Sequence, residues 1–146
     1  MTHLLIDTSV LLKWFHTTGE SEVAAARALL DGHRRGDLTV HVLDLGLFEL
    51  GNVLVRALNW PAGDVADQLD DLIAICGAPL AADPGWLRDA AALATDHRLT
   101  FYDAAWAAAA RAVGVGLVSA DRALVSAGLA ETPTAAARRL GLPEDA

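Results

Sequence analysis

Asp7, Glu49, Asp103 and Asp121 each adjoin a segment apolar enough to be buried. A carboxylate in such a place costs free energy unless it is paired, hydrogen-bonded or bound to a cation. Asp7 ends the run His3-Leu4-Leu5-Ile6, and Glu49 interrupts the apolar stretch Leu45–Leu54. Asp103 opens an alanine-rich stretch through Ala110, and Asp121 follows Gly116-Leu117-Val118-Ser119. Brought together by a fold, these acids would line an oxygen-rich pocket suited to a hard divalent cation such as Mg²⁺ or Mn²⁺. Each also has a local explanation. Asp7 and Asp121 can cap the helices that follow them, although Thr8 or Ser9 would serve the first helix equally well and leave Asp7 free. Asp103 stands three residues after Thr100, as in a capping box with Asp in place of Glu, and gains from the helix dipole. Glu49 is the hardest to explain structurally. It shares a helix face with Asn52 and Val53 among apolar Leu45, Phe48 and Leu50, and Asn52 is a polar neighbour able to orient a carboxylate or a water. The conjunction of the four, more than any one of them, points to a site.

Positioning these acids calls for an alternation of strands and helices. Residues 3–7, 38–42 and 116–119 read as strands, with a weak strand at 78–81. An amphipathic helix runs through Val10, Leu11, Trp14 and Phe15 and is capped by Thr8 or Ser9. Further helices are expected over 20–35, 44–58, 62–75, 84–97 and 101–113, with Pro61 at the first position of the third of them and Gly114 ending the last. A short helix begins at Asp121, and a tail after Pro133 completes the chain. Strands interleaved with helices imply a parallel sheet covered on both faces. Ligands of such sheets bind beyond the carboxyl ends of the strands, where Asp7 and Asp121 stand. No repeat, linker or second domain interrupts residues 1–146, which read as one domain.

The chain has 146 residues, 53% of them hydrophobic, enough for a substantial core. No apolar run approaches the ~20 residues that span a bilayer, and the N-terminus opens on a core strand with no secretory signal. One cysteine, Cys76, excludes an internal disulfide and fits a reducing cytoplasm; without a basic neighbour it reads as a buried structural thiol. The net charge of −8 is unfavourable for phosphate contact, so either a bound metal reverses the charge locally or a basic partner completes the surface. His3, His16, His33, His41 and His97 lack zinc spacing. Gly114-Val115-Gly116 lacks the third glycine and following helix of a dinucleotide loop, and no phosphate-binding Gly-Lys-Ser/Thr loop exists. Asp64, Asp67, Asp70 and Asp71 read as a solvated helix face, and the four tryptophans as core or interface residues.

Taken in order, Ile6-Asp7-Thr8-Ser9-Val10-Leu11-Leu12-Lys13-Trp14-Phe15, Glu49-Leu50-Gly51-Asn52-Val53-Leu54, Tyr102-Asp103-Ala104-Ala105-Trp106 and Leu117-Val118-Ser119-Ala120-Asp121 resemble the PIN-domain nucleases. The length and layout look most like the VapC toxins of type II toxin–antitoxin systems. The resemblance spans about residues 3–125. Ser119 stands where many relatives carry Thr, and the segment after Gly128 departs from the usual last strand and helix. The resemblance implies a three-layer α/β/α domain with a central, mainly parallel sheet. It further implies Mg²⁺- or Mn²⁺-dependent endoribonuclease activity in the cytoplasm, inhibition by a VapB-type antitoxin, and a homodimer. The family's acids fall on Asp7, Glu49 and Asp103 as metal contacts, direct or through water, and on Asp121 for a second metal or the attacking water. Ser9 and Ser119 would hold waters or orient carboxylates. Lys13 and Arg122 are the candidates for phosphate contact. Two other classes compete: a PIN-like interaction module that binds metal but cleaves nothing, and a DNA-cleaving nuclease. Phosphoryl-transfer domains with an acceptor Asp after the first strand fit less well, since Ser9 stands where haloacid dehalogenase-type enzymes need a second Asp.

Overall fold

The computed structural model describes residues 1–144. Three short strands carry the alternation that a covered sheet requires. β1 (Thr2–Ile6) lies between β2 (Leu38–His41) and β3 (Gly116–Val118), and both pairings are parallel. Leu4 faces Val40 on one side and Gly116 on the other, and Ile6 faces Val118. Side chains on a strand alternate between faces, and the two faces of β1 enter different cores. Leu4 and Ile6 join Val10, Leu11, Leu29, Val40, Leu50 and Leu72, whereas Leu5 joins Leu93, Trp106, Ala108 and Leu117. Because both faces are apolar, β1 reads as an uninterrupted hydrophobic run rather than an alternating one.

Helices α1 (Thr8–Phe15), α2 (Val23–Arg35), α3 (Asp44–Asn52) and α4 (Ala62–Cys76) supply the first layer. On the opposite face α5 (Pro84–His97) and α6 (Phe101–Val113) pack as a pair, and α7 (Arg122–Ser126) follows β3. The small side chains Ala104 and Ala107–Ala110 let α6 lie close against the sheet, where every one is buried. This is the three-layer α/β/α arrangement with a parallel sheet that the sequence implies. α8 (Pro133–Arg139) closes the described chain against α2.

Several boundaries differ from the sequence reading. The helix expected over 44–58 changes at Val53 into a π-helical segment, Val53–Ala57, which ends before Asn59 at positive φ. The helix expected from residue 20 starts at Val23, after Glu22 turns left-handed. The weak strand at 78–81 is reduced to one parallel bridge between Leu80 and Leu43. Beyond Gly128, Glu131 bridges Val118 and the N–H of Ser119 donates to its carbonyl, so a one-residue remnant of a further strand precedes α8. Burial pushes the Cys76 thiol up to about 12, which agrees with a structural thiol. No helix among the described residues is long and apolar enough to cross a membrane. Leu5 is fully buried in the central strand, so Leu5→Ala is expected to cost about 2–5 kcal/mol, read as a lowered denaturation midpoint at unchanged m-value.

Candidate active site

The ends of β1 and β3 lie side by side because the Asp7 N–H donates to Val118 O at 3.2 Å. This places Asp7, the first residue past β1, and Asp121, the third past β3, at one edge of the sheet. Asp7 caps α1: its Oδ1 accepts from the Ser9 N–H at 3.1 Å and from the Ser9 hydroxyl, and its carbonyl accepts from Val10 and Leu11. The expectation that Thr8 or Ser9 would cap and leave Asp7 free is therefore corrected: Asp7 itself is the cap, and it caps through one carboxylate oxygen, Oδ1. The Ser9 hydroxyl also accepts from the Ala120 N–H at 2.9 Å, and Ser119 Oγ accepts from the Asp121 N–H at 3.0 Å. The Ser9 hydroxyl thus ties the two strand ends together, with Ser119 Oγ 3.5 Å from it. Asp121 in turn caps α7 through the Ala123 N–H.

The other two acids come from helices on opposite sides of the sheet. Asp103 lies in the first turn of α6, where Thr100 is the capping side chain and accepts from the Asp103 N–H at 3.1 Å. Glu49 sits near the end of α3, and its Oε1 accepts from Thr8 Oγ1 and from Trp106 Nε1, both at 2.9 Å. Together Asp7, Thr8, Ser9, Leu12, Glu49, Val53, Asp103, Trp106 and Asp121 line one cleft of about 230 Å³. All four acids singled out in the sequence converge there.

Charge is crowded in this cleft. Burial pushes the Asp7 carboxyl up to about 6; the Ser119 and Ser9 hydroxyls and the Val10 backbone oppose the rise, and the Asp103 charge adds to it. Burial likewise raises Asp103, helped by the charges of Asp121 and Glu49 and offset in part by Thr100. Among the described residues, no basic side chain lines the cleft. A set of hard oxygen donors that repel one another fits a divalent cation. Among the described residues, however, no three His, Cys, Asp or Glu side chains are already grouped to hold a metal. The carboxylates form an acid-lined mouth rather than a finished coordination sphere.

Four sequence-based candidates do not line it, the first being Ser119, which is fully buried and bonded to the Asp121 N–H. Asn52 is exposed and does not line the cleft, and Glu49 is oriented by Thr8 and Trp106 instead. Lys13 is a buried partner of Glu20 at 2.9 Å, only 4% exposed, and is not placed for phosphate contact. An ammonium on that buried face of α1 is tolerated because a carboxylate meets it. Arg122 is exposed beside Asp121 and makes no ion pair among the described residues. Thr8 and Trp106 were missed as Glu49 anchors. The available signals were that Thr8 adjoins Asp7 and that Trp106 lies one helical turn after Asp103.

The PIN domain family pattern matches residues 4–128. The chain belongs to the PIN domain family. PIN domains are generally nucleases, which supports nuclease-type activity for this chain, and they generally use divalent metal ions. The chain is also similar in fold to the protein in the crystal structure of PAE2754 from Pyrobaculum aerophilum, with 24% identity and a TM-score of 0.69 over 96% of this chain and 90% of that one. No curated protein matches the chain.

The pKa of Asp7 sets a stability test. Its folded value, about 6, lies above the ordinary 3.8. Between those values the folded state binds the extra proton, so stability is full below about pH 4 and is lost as pH rises to about 6. In EDTA, Asp7→Asn is therefore expected to melt several degrees higher than wild type above pH 6. The gain would be up to about 3 kcal/mol, and it should shrink towards zero near pH 4 in a pH series of melting curves.

Proposed function

We propose that this protein is a Mg²⁺- or Mn²⁺-dependent endoribonuclease, the toxin of a type II toxin–antitoxin pair of the VapC kind. The observation that carries the nuclease reading is the convergence of four carboxylates from four separate segments on one cleft, with no basic side chain among the described residues that line it. Asp7, Glu49 and Asp103 would hold the cation, and Asp121 would serve a second cation or orient the attacking water. A bound cation supplies Lewis-acid stabilisation of the charge developing on the scissile phosphate and readies water for attack. Water adds to phosphorus, the P–O3′ bond breaks, and O3′ takes a proton, leaving a 5′-phosphate and a 3′-hydroxyl. Ser9 and Ser119 keep the Asp7 and Asp121 segments in register during this step. Arg122, exposed beside Asp121, remains the candidate for phosphate contact.

The choice of RNA, the toxin role and the cytoplasmic setting rest on the likeness of the four motifs to VapC toxins. The acidity of the cleft adds a reason for a basic inhibitor: an arginine of a VapB-type antitoxin entering it would pair with the carboxylates and exclude the cation. Homodimerisation takes support from an apolar slot of about 260 Å³ beside the cleft. There Phe48 is 77% exposed, Tyr102 61%, Phe101 45% and Leu87 41%. Such a patch is a protein-contact signature, and on a chain of charge −8 a weakly charged face is the one on which two copies repel least. The reading of a PIN-fold module that cleaves nothing draws on the ungrouped state of the carboxylates.

Two experiments test these points. Purified protein is expected to cleave a mixed-RNA panel with Mn²⁺ or Mg²⁺, to stop in EDTA, and to lose at least about 100-fold activity as Asp7→Asn. Absence of cleavage by folded, metal-loaded, antitoxin-free protein would favour the silent module. In sedimentation equilibrium the wild type is expected to be a dimer and Phe48→Asp a monomer; a monomeric wild type would remove the dimer.

A further inference from the structure

Trp106 is 1% exposed on α6, and its only polar atom is the indole N–H, a donor with no acceptor character. That N–H reaches Glu49 Oε1 at 2.9 Å, where the Thr8 hydroxyl also donates. The ring gets there by crossing α3 at Gly46, one turn before Glu49. A Cβ on Gly46 would stand 2.9 Å from Trp106 Cη2 and 3.1 Å from Cζ2. Gly46 lies in the first turn of α3, and the absence of a side chain there leaves the space that the ring fills. Both donors to Glu49 are neutral. A lysine or arginine would hold the carboxylate equally well but would cancel the negative charge that a cation requires.

We propose that Trp106, with Gly46 making room for it, is a positioning residue for the cation site. It fixes Glu49 through Oε1 without neutralising it, so that the remaining carboxylate oxygen is the one offered to the cation. This rests on the reading of the cleft as a cation-dependent site, and it extends that site to two residues outside the four acids. A ring that served only to fill the core would be indifferent to loss of its N–H once a similar ring replaced it. Orientation of metal-binding carboxylates by outer hydrogen bonds is a general device whose loss weakens metal affinity by 10–100-fold.

The test is Mn²⁺ binding, followed by electron paramagnetic resonance on wild type, Trp106→Phe, Glu49→Gln and the double variant, with circular dichroism as the fold check. Trp106→Phe is expected to weaken Mn²⁺ binding roughly 10-fold while having little further effect in the Glu49→Gln background, because the two changes remove one interaction. Gly46→Ala should weaken binding in the same direction by displacing the ring. Wild-type affinity in Trp106→Phe, or an equal loss with and without Glu49, overturns the proposal. If Trp106→Phe does not fold, Thr8→Val removes the other donor to the same oxygen, and absence of coupling to Glu49→Gln overturns it likewise. Equal Mn²⁺ binding by wild type, Asp7→Asn and Glu49→Gln would instead overturn the cation-site reading beneath it.

Discussion

A central parallel strand covered on both faces must be apolar on both sides, and the first polar residue beyond it marks where the covering layers part. In this protein that strand is β1, and the residue is Asp7. The single backbone bond from Asp7 to Val118 joins the ends of β1 and β3 and thereby sets Asp7 and Asp121 at the same edge. The two faces of β1 recruit different helix layers, so α3 brings Glu49 from one side and α6 brings Asp103 from the other. The cleft is the gap between layers at the carboxyl edge of the sheet, where α/β proteins generally bind ligands.

Burying carboxylates in that gap opposes folding, as the raised Asp7 and Asp103 show, and their mutual repulsion adds to it. The fold meets part of this cost with short-range hydrogen bonds. Asp7 and Asp121 each satisfy helix N–H groups through one oxygen, and Thr8 and Trp106 satisfy Glu49. Capping and site chemistry are therefore not competing explanations for these residues. A carboxylate has two oxygens, and the fold engages one of them while the charge remains uncompensated. That division distinguishes the cleft from the Lys13–Glu20 pair, in which the acid's charge is met by a full positive charge.

The aromatic slot lies against the same helices. Phe48 directly precedes Glu49 and Tyr102 directly precedes Asp103, so the slot and the cleft are neighbouring faces of α3 and α6. Whatever covers Phe48 and Tyr102 bears on the helix turns that carry two of the four acids.

Much of this was legible in the chain itself. The apolar run through Leu4, Leu5 and Ile6, the caps at Thr100 and Asp121, the glycine stop at Gly114 and the four acids are local signals, set by periodicity and by side chains acting on their own backbone within a few residues. The less local features were not legible. The π-helical segment after Asn52, the loss of a strand at 78–81 and the one-residue bridge at Glu131 depend on partners far away in sequence. Asn52 looked like the partner of Glu49 because both share a helix, yet Thr8 and Trp106, 41 and 57 residues distant, hold it. Lys13 looked free for phosphate because nothing near it in sequence showed that Glu20 would fold back over it. The sequence by itself determined which acids are available and where most of the strands and helices lie. Only the tertiary structure decided which neutral donors orient those acids and which charges are cancelled, because hydrogen bonds and ion pairs between side chains depend on distances that chain folding alone creates.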